Sequence, residues 1–107
     1  MIEIPKLREI DQETELYKKY LVEQKVSKIT VKLYAHFIRE YYIYIEEKHL
    51  EDDLEGMRRF IRFKDYTIIK SRKWAFSVFK NYLKYKRSPL LFDVERILSP
   101  KKLEESK

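Results

Sequence analysis

Lys70, Lys73, Ser77, Lys80, Asn81 and Lys84 recur at spacings of three and four along the stretch from Lys70 to Arg87. At about 100° per residue they gather on one side of a helix. Ammonium groups with a hydroxyl and an amide among them can neutralise and hydrogen-bond phosphate oxygens. From Lys64 to Arg87 there are eight basic residues and one acid, Asp65, a balance of +7. The whole chain carries +6, so all other segments together come to −1. The basicity therefore belongs to one element. A solvated surface is the plain alternative for a Lys-rich face. Against it, an ordinary exposed helix mixes Glu with Lys at i,i+4 spacing, and this face has no acid.

A second basic set lies upstream. Lys28, Lys32 and Arg39 line one side of a helix, with Ala35 and His36 nearby. Glu40, Glu46 and Glu47 dilute its far end, so the first half is the expected contact region. There Ser27, Lys28, Thr30 and Lys32 sit near backbone N–H groups that favour phosphate. Thr30 is either a base or phosphate contact or a local capping partner of Ser27. Trp74 falls at the border of the apolar and basic faces, where it can pack at the bundle edge or meet a partner.

Other chemistry is poorly supplied. The chain has no Cys and two His, at 36 and 49, so neither a disulfide framework nor a metal site is expected. No P-loop, paired catalytic carboxylates or nucleophile elbow is present. No cofactor is expected, and no catalysis by this chain alone.

The elements follow from apolar spacing. Residues 1–10 read as an extended lead-in, with Pro5 resisting early helix. Asp11 is then the N-cap of a first helix over about 12–24, with Leu16, Tyr17, Tyr20 and Leu21 as its buried stripe. Ser27 caps a second helix over 28–48, whose core stripe is Tyr34, Phe37, Ile38, Tyr41 and Ile45. Asp52 or Asp53 caps a third, with Leu54, Met57, Phe60 and Ile61 inward; Gly56 is either a weak point or a close packing point. Thr67 caps the fourth, whose apolar side holds Ile68, Ala75, Phe76, Phe79, Tyr82 and Leu83. Ser88-Pro89 ends it. Leu91 to Leu98 form one or two turns, with Val94, Ile97 and Leu98 inward. Ser99 to Lys102 read as a linker.

The expectation is an all-α bundle of four main helices with a short C-terminal helical turn, antiparallel neighbours being joined by short loops. The 107 residues suffice for one small domain, and nine Tyr with six Phe favour a core of large rings. No apolar run approaches the roughly 20 residues that cross a membrane. The polar, acidic start does not read as a signal peptide. A cytoplasmic location is expected.

The stretch Ser27-Lys-Ile-Thr30-Val-Lys-Leu-Tyr34, followed by Phe37 and Tyr41, resembles the S-x-x-T-x-x-x-Y opening of the core-binding domain of tyrosine recombinases, the Xer and phage integrase enzymes. Ser71-Arg72 through Phe79, Tyr82 and Leu83 resembles that domain's last long helix. Ile97 through Pro100-Lys101 resembles its I-x-x-P-K exit. The likeness covers about residues 12–102. It implies a SAM-like orthogonal bundle at 11–99 that binds double-stranded DNA for integration and recombination, its second and fourth helices facing the major groove. It also implies a linker at 100–107 toward a catalytic domain that this sequence does not contain, that domain and neighbouring protomers being further partners. By position, Lys28, Thr30 and Lys32 match the DNA-facing start of the second helix, and Lys70, Ser71, Arg72 and Lys73 that of the fourth. Arg72 projects toward the core side in the helical phase. Trp74 stands where a small residue is usual, and Ser77 where Arg is common. His36-x-x-Arg39 has the spacing of a recombinase active-site signature but lies in mid-helix, without partner residues around it. Alternatives from other classes are a SAM-like protein–protein interaction module and a stand-alone DNA-binding regulator that dimerises on a palindrome.

Overall fold

The structure, a computed structural model, describes residues 4–64 and 69–97. These residues are all-α, with five helices and no strand among them. In chain order they are α1 (Ile4–Glu23), α2 (Lys28–Lys48), α3 (Leu54–Phe63), α4 (Ile69–Lys86) and α5 (Leu90–Ile97). No helix among the described residues is long and apolar enough to cross a membrane. The chain divides between Leu50 and Glu51 into two compact units, described in turn.

The first unit is the α1–α2 hairpin. The two helices are in contact and run antiparallel: Lys6 pairs with Glu46 at 3.6 Å and Arg39 with Asp11 at 2.6 Å. Helix α1 starts eight residues before the expected point. Pro5 does not prevent this, because a first-turn residue has no intrahelical acceptor for its N–H, so a proline there loses nothing. Asp11 is consequently inside the helix and caps nothing. The buried stripe of α1 is Ile10, Thr14, Tyr17 and Leu21, at i, i+4, i+7 and i+11. Leu16, expected inside, lies about 100° off that line and is 50% exposed. Thr14 is buried at no cost in hydrogen bonding, since its hydroxyl donates to the Ile10 carbonyl at 2.8 Å.

In α2 the expected Phe37, Ile38, Tyr41 and Ile45 are buried, Tyr34 is half-buried, and Val31 and Ala35 join the buried face. Ala35, placed by the sequence beside the basic side, is fully enclosed. Ser27 caps the helix as expected, its Oγ accepting from the Thr30 N–H at 3.3 Å.

The second unit holds α3, α4 and α5, with α5 touching both other helices. Asp53 caps α3 by accepting from the Gly56 N–H at 2.9 Å, and Met57, Phe60 and Ile61 are buried. Gly56 is itself buried, so its lack of a side chain serves close packing. In α4 the buried residues are Ala75, Val78, Phe79, Tyr82 and Leu83, with Phe76 half-buried. Ser88 does two jobs. Its N–H donates to the Leu83 carbonyl and closes α4, while its Oγ accepts from the Leu90 N–H at 3.1 Å at the start of α5. Val94 of α5 is fully buried. The expectations for Thr67, Ile68, Leu98 and the 100–107 linker, and for the side chain of Ile97, lie outside the described residues.

Three helices end in the same way. Lys25, His49 and Arg87 have φ of 61°, 56° and 53°. In each turn the next N–H reaches back five residues: Val26 to Leu21, Leu50 to Ile45, Ser88 to Leu83. These are Schellman caps with a side-chain-bearing residue in the position that usually falls to glycine.

Two stability predictions follow from this packing. Phe79→Ala should destabilise the fold by about 3–5 kcal/mol, read from urea unfolding; an unchanged midpoint would refute the core assignment. Lys25→Gly and His49→Gly should each stabilise by about 0.5–1 kcal/mol, since glycine relieves the left-handed backbone. Glu23→Gly, just inside α1, should cost about 1 kcal/mol, so the sign must change within two residues.

Candidate nucleic-acid interface

The basic residues of α4 keep their expected phase. From Ile69 to Lys86 the helix contains no acid. Lys73, Ser77 and Lys84 are exposed, and Lys80 and Asn81 are half-exposed beside them. Lys80 is steadied from within the helix: its ammonium lies 5.3 Å from the centre of the Phe76 ring, a favourable placement for a cation. Ser77, Lys80, Asn81 and Lys84, with Leu91 of α5, line a cleft of about 410 Å³. Such a lining offers two ammonium groups, a hydroxyl and an amide to an oxyanion. Among the described residues, none of the large apolar side chains exposed on the surface lies on α4.

The other residues expected on this helix fall elsewhere. Ser71 and Arg72 are half-buried, and lie more than 100° around the helix from Ser77. Trp74 is half-buried at the border of the two faces. The side chain of Lys70 lies outside the described residues.

The α2 candidates separate. Lys28 and Lys32 are exposed in the first two turns. Thr30 is engaged locally, accepting from the Ser27 hydroxyl at 2.9 Å while its N–H is capped by the same oxygen. Arg39 is turned toward α1, where its Nε donates to Asp11 Oδ1 at 2.6 Å. His36 Nε2 lies 2.6 Å from Glu40 Oε1. Asp11, Glu15, Lys18, Lys32, His36 and Arg39 share a groove along the α1–α2 seam. Arg39 is held by one of its carboxylates, so the phosphate-facing part of α2 contracts to Lys28 and Lys32, the latter exposed although it lines the same groove.

Two features escaped the sequence reading. Ile29 and Leu33 are exposed, at 73% and 50%, in the first half of α2. Their position out of phase with the Tyr34, Phe37, Ile38, Tyr41 and Ile45 stripe was the available signal. The other feature is on α3, where Arg58 is half-buried with an enclosed Nε that makes no hydrogen bond. Arg62, one turn on, is exposed. The run Arg58-Arg59-Phe60-Ile61-Arg62 was the available signal, although Arg59 is neutralised by Glu55 at 3.2 Å.

Among the described residues no cluster of His, Asp and Glu could hold a metal ion. No protein-family model, curated protein or solved structure matches the chain.

The Asp11–Arg39 pair should be worth little to stability. Its side chains are 50% and 36% exposed, so an alanine double-mutant cycle should give a coupling of about 0.2–1 kcal/mol that shrinks with added salt. A salt-independent coupling above that range would mark the pair as a structural clamp.

Proposed function

We propose that the chain is a duplex-DNA-binding module whose principal contact is the outer face of α4. The observation that carries this is the unbroken cationic and polar surface of Lys73, Ser77, Lys80, Asn81 and Lys84, with no acid anywhere in the helix. A protein-docking face of this size would present exposed apolar anchors, and α4 has none among its described residues. Lys28 and Lys32 at the start of α2 supply a second contact. Most of the affinity comes from phosphate neutralisation, and the chain performs no catalysis by itself.

The finer reading is the core-binding domain of a tyrosine recombinase. Its support is where the motifs fall: Ser27 to Tyr34 opens α2, and Ser71 to Leu83 lies within α4. The gene sequence beyond the segment tests it; the expected result is a following region with an Arg, a His-x-x-Arg and a Tyr. A second reading, a protein-interaction module, has one specific observation in its favour. Phe63 of α3 and Phe92 of α5 are 60% and 77% exposed in the second unit.

The test of DNA binding is fluorescence anisotropy across a salt series. Affinity should fall with a log–log slope of about −4 to −5, the release expected for roughly four to six phosphates. Lys73→Glu with Lys84→Glu should weaken binding to all duplexes and flatten the slope by about 2. Arg8→Glu with Lys19→Glu makes the same charge change on a face of α1 that also carries Asp11 and Glu15, and should do much less. Equal losses from the two variants would mean diffuse attraction without a defined surface. Absence of binding at low salt would overturn the proposal.

A further inference from the structure

We infer that Ile29 and Leu33 read thymine methyl groups in the major groove, which makes the first half of α2 a source of sequence preference as well as of charge. The inference rests on the DNA-binding reading above.

Ile29 and Leu33 are the large apolar residues that α2 leaves exposed among its described residues. Ile29 lies opposite the buried residues Val31, Ala35, Phe37, Ile38, Tyr41 and Ile45, and Leu33 lies about 40° around from it, bordering the α1–α2 groove. One turn of α-helix separates them, about 6 Å along the axis. Two base-pair steps of a duplex advance about 6.8 Å, so the pair can meet groove edges two steps apart. Lys28 and Lys32 border the stripe on one side and are exposed, as phosphate contacts flanking a groove would be. Thr30 is engaged by Ser27 and competes little for base edges. The thymine C5-methyl is the apolar feature of the major-groove edge, and aliphatic side chains recognise it.

The alternative occupant, another protein or a second copy, is disfavoured by area. Even with Val22 of α1 added, also exposed, three aliphatic side chains fall well short of the roughly 800 Å² per partner of a stable protein interface. A surface one helix wide matches a groove.

The test removes the methyl and nothing else. Affinity is measured for an A·T-rich duplex of fixed sequence and for the same duplex with deoxyuridine in place of thymidine. The proteins are the full chain and its Ile29→Ala, Leu33→Ala double variant. The full chain should lose about three- to fourfold per contacted methyl, the worth of one buried methyl-sized group, and so about tenfold for two. The double variant should bind the thymidine duplex about as weakly as the full chain binds the deoxyuridine duplex. It should be indifferent to the replacement and keep the full salt slope. Both side chains are exposed, so its thermal melt should match the parent and exclude misfolding as the cause. Equal affinity of the full chain for the two duplexes, with a normal salt slope, overturns the inference and leaves the DNA-binding reading standing. No salt-dependent binding to either duplex overturns both. Self-association in sedimentation that the double variant abolishes, with no thymine dependence, would assign the stripe to a contact between copies and overturn the inference.

Discussion

A chain with one glycine in 107 residues must turn its helices without the residue best suited to the task. The Schellman turns at Lys25, His49 and Arg87 meet that constraint with residues that carry full side chains, two of them cationic. Each pays the steric strain of a left-handed residue, of order 1–2 kcal/mol. Lys25 and Arg87 also set a cation near the negative end of a helix dipole, which returns part of it. The hairpin of α1 and α2 hinges on the first of these turns, and the passage from α4 to α5 on the last. The lone glycine is used inside α3, where backbone N–H and close packing matter and positive φ does not.

Charge at the helix ends also bears on the surface. Lys25 and Arg87 are exposed cations beside the helices that carry the proposed contacts. In the proposed binding they would add to the field that steers a polyanion toward the chain without belonging to the patch on α4. A loss of affinity on replacing them therefore reports long-range attraction. A loss on replacing Lys73 or Lys84 reports contact.

Local information made much of this legible. Ser27 and Asp53 cap the helices assigned to them because a capping side chain acts over three residues. The phase of α4 was readable because its polar and apolar residues segregate cleanly. What failed needed information from farther away. Pro5 reads as a helix breaker only if the helix has already begun, and here it sits in the first turn. Starting α1 at residue 12 left Ile10 outside the helix, Thr14 was passed over as polar, and Leu16 was drawn into the stripe in their place. Arg39 looked available because its partner, Asp11, is 28 residues away. Ile29 and Leu33 fall outside the α2 core stripe by helical phase, but nothing local to them says what an exposed apolar pair there is for. The recombinase likeness rests on motif order, and the fold class adds only that an all-α chain can accommodate it.

The lysines on α4 differ in how much freedom they have left. Lys80 leans on the Phe76 ring, so part of its rotamer entropy, of order 2 kcal/mol for a free lysine, is already spent. Lys73 and Lys84 stand in solvent with theirs intact. A polyanion arriving at this face meets one anchored charge between two that can still search. In the proposed complex the anchored one would set register at little ordering cost. The other two would follow phosphates whose spacing changes as a duplex bends or its groove narrows, so the face would accommodate varied backbone shapes without the helix itself having to move.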